Sequence, residues 1–131
     1  MMNALYILNP ANFDTVFGVP EQTDLAQRVH ILAPPLTPEA ASSRPDLLGQ
    51  MDILLSSWGG PKLDEAFLTA SPRLKLVLYA AGSIRGLVTP AFWSRDIPIC
   101  SAWAANALPV AEFTLSQILF SLKHGWKYVL A

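Results

Sequence analysis

Short apolar runs recur along the chain, several of them closed by Pro, Gly, Asn or Ser, with helix-forming segments between most of them. Leu5–Leu8 stops at Asn9-Pro10, Val29–Leu32 is closed by Pro34-Pro35, and Ile53–Ser56 ends at Ser57-Trp58-Gly59-Gly60. Leu74–Tyr79 and Ile97–Ala102 complete a set of five candidate strands. Strands that alternate with helices argue for a parallel sheet covered by helices on both faces. Five of them match a flavodoxin-like arrangement, so the expected fold class is α/β.

The intervening segments support this reading. A helical turn is expected around Glu21–Gln27, and the stretch from Pro34 to Pro45, rich in Pro, Ser and Ala, reads as a loop with at most a turn of helix. Another turn is expected at Asp46–Gln50. Pro61 begins a helix through Ala70, with Asp64 and Glu65 in the early turns where negative charge suits the helix dipole. Thr89 caps a short helix over Pro90–Ser94. The last helix is expected to take Asn106 as its cap and Pro109 in its first turn. Leu108, Leu115, Leu119, Leu122, Trp126 and Val129 then form one continuous stripe, and Val110, Phe113, Ile118 and Phe120 spread apolar character around the cylinder. A helix apolar on more than one side calls for cover on more than one side.

The chain has 131 residues, of which 52% are hydrophobic, and a mean hydropathy of +0.34, high for a domain of this size. Either a membrane segment or a surface normally covered by a partner accounts for that. The charge-poor stretch from Ile97 to Leu122 contains Pro98, Asn106, Pro109, Glu112 and Gln117, which argues against a span and for a helix buried between domains. A net charge of −1 with scattered Lys and Arg leaves no footprint for nucleic acid. Cys100 has no second cysteine to pair with and lies in an apolar run, so it is expected in the core. Met1-Met2-Asn3-Ala4 shows no secretory signal, and the cytoplasm is the expected location.

Chemistry in a parallel sheet gathers outside the carboxyl ends of the strands. The turn Ala80–Gly86 follows the fourth candidate strand, and Gly82 lets successive backbone N–H groups converge on one spot, an arrangement suited to an anion. At the end of the third strand, Trp58 can wall a small pocket or simply cover the sheet end. Arg85 offers a planar fork for a carboxylate, or stands in solvent. Glu112 is expected to bond to backbone or to a neighbour near the helix start. Neither His30 nor His124 has partners at metal-ligand spacing. The glycines at 18, 49, 59, 60, 82, 86 and 125 form no G-x-G-x-x-G and no P-loop, so no dinucleotide site is legible.

The segments Leu78-Tyr79-Ala80-Ala81-Gly82-Ser83, Val88-Thr89 and Ala105-Asn106-Ala107-Leu108-Pro109-Val110-Ala111-Glu112-Phe113-Thr114-Leu115 carry a further signal. Their order and spacing resemble the D-2-hydroxyacid dehydrogenases, the NAD(P)-dependent enzymes that reduce 2-keto acids. The resemblance covers roughly residues 50–130 well and the first part of the chain loosely. It implies a flavodoxin-like substrate-binding domain over residues 1–103 and an interdomain helix over 104–131, leading to a Rossmann domain that this sequence lacks.

By the same resemblance, the amides of Ala81, Gly82 and Ser83 hold the substrate carboxylate, with Trp58 and Arg85 as further substrate-side candidates. Arg85 departs from the acidic or amide residue of many members. The nicotinamide site, the orienting arginine and the histidine–glutamate pair come later in such chains, so no catalytic residue is assigned here. NAD or NADP is implied for the parent enzyme and none for this part alone. Implied partners are a small 2-keto or 2-hydroxy acid, the missing Rossmann domain and a second copy in a homodimer, without nucleic acid or membrane. The reaction would be hydride transfer between nicotinamide C4 and C2 of the acid, with this part inactive by itself. The other reading is a stand-alone domain that binds small carboxylates or a protein partner through the apolar last helix.

Overall fold

The centre of the sheet is built from the two runs with the least polar character. In the computed structural model, which describes residues 1–129, β1 (Asn3–Ile7) and β3 (Ile53–Ser56) are buried almost throughout. Strands buried on both faces tolerate no polar alternation, which is why these read as continuous apolar runs. β2 (His30–Ile31), β4 (Leu76–Tyr79) and β5 (Ile99–Ser101) extend the sheet in the order β2-β1-β3-β4-β5, every pair parallel. The α/β fold class and flavodoxin-like order expected from the sequence hold.

Two apolar clusters sandwich the sheet. On one face Leu5, Ile7, Leu54, Val77 and Tyr79 pack against Ala41 of α3 (Pro38–Ser42), Leu47 and Leu48 of α4 (Pro45–Leu48), Phe67 and Leu68 of α5 (Glu65–Ala70), and Phe92 of α6 (Pro90–Trp93). On the other, Ala4, Tyr6, Leu8, Ile53 and Leu55 meet Phe13 of α1 (Phe13–Val16), Phe17, and Leu25 of α2 (Val19–Arg28). Edge-to-face contacts of Tyr6 with Phe13 (4.9 Å) and Phe17 (5.1 Å) fix that second face.

The second face is covered unevenly, and this corrects one expectation. Leu55, Leu78 and Cys100 stand in register across β3, β4 and β5. Leu55 is buried, Leu78 is half-buried and Cys100 is exposed, because α1 and α2 lie against β1 and β3 and leave the β5 edge bare. The core placement of Cys100 is therefore wrong.

The helix boundaries shift for local reasons. Asp64, not Pro61, starts α5: its carboxylate accepts from the Phe67 amide at 3.1 Å as an N-cap. Thr89 caps α6 as expected, its hydroxyl accepting from Phe92 N (3.2 Å) while donating to Leu63 O (2.6 Å). α7 runs from Trp103 to Leu122, so Asn106 lies inside the helix and Pro109 falls beyond its first turn. The strand end dictates this start: the Ala102 amide donates to Tyr79 O and Ala81 O, and the Ala102 carbonyl accepts from Asn106 N. The expected stripe is also interrupted. His124, in the left-handed region at φ 57°, separates α7 from α8 (Gly125–Val129), which carries Trp126 and Val129 and folds Trp126 edge-on to Phe120 at 5.0 Å. The last residues of the expected 104–131 helix, Leu130 and Ala131, lie outside the described residues.

α7 is apolar but uncovered. Phe113 is 66% exposed, Leu108 62% and Leu122 70%, a surface of the kind that in soluble proteins meets a partner. Among the described residues no helix is long and apolar enough to cross a membrane.

Candidate functional site

All five strands point their carboxyl ends the same way, and three connecting turns meet there. At the switch point between β1 and β3, where such sheets usually leave a crevice, the backbone is closed. Asn9 N donates to Trp58 O at 3.0 Å, and the fully buried Ser56 hydroxyl donates to Ile7 O at 2.7 Å. Gly60 is needed for this closure, since a Cβ there would run into Ser56 Oγ and lie 3.0 Å from Ser57 O.

The turn after β4 is different. Ala80 N donates to Ser56 O (2.8 Å) and Ser57 Oγ donates to Ala80 O (3.2 Å), which ties this turn to the end of β3. Beyond that anchor, the amides of Ala81, Gly82 and Ser83 donate to no acceptor among the described residues, although Ala81 is only 2% exposed. Of the three, Ala81 is buried, Gly82 half-buried and Ser83 exposed. A buried backbone N–H nearly always has a partner, so the Ala81 amide, with its two neighbours beside the strand end, is suited to an acceptor from outside the chain.

Asn106 belongs to this place. A Cβ on Gly82 would lie 2.9 Å from Asn106 Nδ2, so the carboxamide, rather than a ligand, occupies the space that the missing side chain leaves. Reading Asn106 as a helix cap hid this role. The signal available in the sequence was an Asn one turn past the end of a strand adjacent to the Gly82 turn.

The remaining candidates are less closely held. Trp58 is 51% exposed at the end of β3, and the Arg85 side chain is exposed with no hydrogen bond or ion pair among the described residues. Neither side chain is hydrogen-bonded to the turn at Ala81–Ser83. Glu112 is exposed on the uncovered helix α7, where its side chain faces water, and makes no hydrogen bond or salt bridge among the described residues, contrary to the bonding expected of it. A buried carboxylate with two cations lies at the opposite end of the sheet. Asp52, 2% exposed, accepts from Asn3 N at 2.9 Å and faces Arg73 (3.2 Å) and Lys75 (3.1 Å). Burial alone would raise the Asp52 pKa, but the Asn3 amide and the two cations outweigh it and hold the carboxyl below its ordinary value.

A dinucleotide does not fit these turns. The Gly60 turn is filled by Ser56 and the Gly82 turn by Asn106, and the helices that follow, α5 and α6, have six and four residues. A pyrophosphate needs close glycine backbone at the start of a longer helix.

The architecture is thus that of the five-stranded, parallel, flavodoxin-like α/β domains, with three amides lacking a protein acceptor after β4. Among solved structures, the chain is similar to one described as the pyruvate reductase of Chlamydomonas reinhardtii, with a TM-score of 0.62 and 13% sequence identity. The match covers 98% of this chain and 38% of that one, so this chain spans well under half the length of the protein whose fold it shares. No family model and no curated protein matches the sequence.

Proposed function

We propose that the chain is the substrate-binding portion of an oxidoreductase acting on small 2-keto or 2-hydroxy acids, with the acid's carboxylate received by the amides of Ala81, Gly82 and Ser83. The run of unpaired amides on this turn carries the reading. The shared fold with a pyruvate reductase supports the substrate class. In this reading Asn106 Nδ2 lies over Gly82 as a further donor beside the bound acid, and Trp58 and Arg85 flank it from outside. The hydride would come from NAD or NADP held by a separate domain, since the turns of this chain do not fit a dinucleotide. The chain's own part is to bind and orient the acid.

The discriminating experiment compares pyruvate with pyruvamide, its uncharged amide, by equilibrium dialysis against the whole chain. Saturable binding of pyruvate, with the amide at least tenfold weaker, is the expected result, because charge-assisted bonds to backbone N–H are the stronger kind. Equal binding of the two, or binding of neither, refutes the assignment.

A further inference from the structure

A cavity of about 490 Å³ opens on the far edge of the sheet, between β2 and the helices α1 and α2. It lies within the volume range of small-molecule sites. Its walls are Phe13, Ala26, Ile31 and the Pro34-Pro35 turn, with Tyr6 and Gln22 supplying the polar atoms and no charged side chain among the lining residues. The prolines present ring carbons and no N–H.

Tyr6 is the informative residue. It is 3% exposed, pinned by Phe13 and Phe17, and its hydroxyl makes no hydrogen bond among the described residues. A buried tyrosine hydroxyl ordinarily finds a partner. Unlike Ser71 Oγ, which is sealed away without a partner, the Tyr6 hydroxyl is not fully enclosed, and Tyr6 is one of the residues that line the cavity. Burial raises its pKa, which keeps it a neutral O–H at physiological pH. Gln22 already commits its amide nitrogen to Phe17 O at 2.7 Å, while its side-chain oxygen accepts from nothing among the described residues.

We propose that this cavity binds an uncharged aromatic alcohol, its ring against Phe13 and the Pro34-Pro35 wall and its hydroxyl paired with Tyr6. The lining disfavours an anion or cation, which would be desolvated without a counter-charge. The site is distinct from the amide turn after β4 and does not depend on the function proposed for that turn.

Fluorine NMR of the whole chain with 4-fluorophenol and fluorobenzene tests it. The expected result is saturable binding of 4-fluorophenol, with fluorobenzene about tenfold weaker, the worth of one hydrogen bond. Tyr6→Phe should erase that preference while the chain stays folded, since the hydroxyl has no protein partner to lose. Ala26→Phe, at an exposed position of α2, should fill the cavity and abolish binding of both with the melting temperature unchanged. Absence of saturable binding overturns the proposal, as does a hydroxyl preference that survives Tyr6→Phe or binding that survives Ala26→Phe.

Discussion

Replacing Gly60 by alanine probes how tightly the turn after β3 is closed. The new methyl would collide with Ser56 Oγ and press on Ser57 O at 3.0 Å, in a place where both serines are fully buried. Backbone cannot move easily, because Gly60 N donates to Ser57 O at 3.0 Å and Trp58 O is held by Asn9 N. Ser56 must therefore rotate and give up its 2.7 Å bond to Ile7 O. Overpacking costs about 1–3 kcal/mol, and leaving that carbonyl without its partner adds about 1 kcal/mol, so Gly60→Ala should destabilise by about 3 kcal/mol. Ser56→Ala alone loses only the hydrogen bond, about 1 kcal/mol. In the double variant the colliding atom is gone and Ser56 Cβ lies an ordinary 3.5 Å from the new methyl. The pair should then cost about 2 kcal/mol, well short of the additive sum of about 4. Urea unfolding of wild type, both singles and the double measures this cycle at constant slope. Additivity to within about 0.5 kcal/mol would refute the collision.

At the opposite end of the sheet, Asp52→Ala should cost about 1–3 kcal/mol at pH 7, mainly from the orphaned Asn3 amide. The exposed Arg73 and Lys75 simply return to water, so the ion pairs themselves add little. Because the folded pKa of Asp52 is depressed, its contribution is complete above the ordinary aspartate value of about 3.9 and fades as pH falls through the lower folded value. Acid titration of unfolding should show wild type and variant converging only below that range; a constant gap down to acid would contradict it. Cys100, exposed on the β5 edge, should react stoichiometrically with a thiol reagent in the folded chain, and a requirement for denaturant would restore the core placement.

The sheet was legible because its strands are apolar runs punctuated by Pro, Gly and Ser, and because short helical segments between them leave parallel pairing as the simplest solution. Thr89 could be read as a cap from its place before Pro90. What sequence alone could not show was coverage. Ile97–Ala102 is as apolar as a central strand, yet Cys100 is exposed since neither α1 nor α2 reaches β5 on that face of the sheet. Asn106 and Pro109 mimic a helix start, but the bonds from Ala102 N to Tyr79 O and Ala81 O make Ala102 the cap, four residues earlier. Tyr6 reads as one more strand residue, and only three-dimensional packing places its hydroxyl without a protein partner at a cavity. The glycine turn at Gly82 drew notice for its freedom to bend; the pairing state of its amides depends on neighbours more than twenty residues away, such as Ser56, Ser57 and Asn106.

Backbone amide spectra of the nitrogen-15-labelled chain, titrated with pyruvate at fixed pH and ionic strength, test the carboxylate site most directly. The signals of Ala81, Gly82 and Ser83 should move downfield together on one saturable curve, joined by the Asn106 carboxamide, while those of β2 and α2 stay in place. Saturable shifts centred anywhere else, or a spectrum that pyruvate leaves unchanged, would contradict the assignment of the turn after β4 as the place where the acid is held.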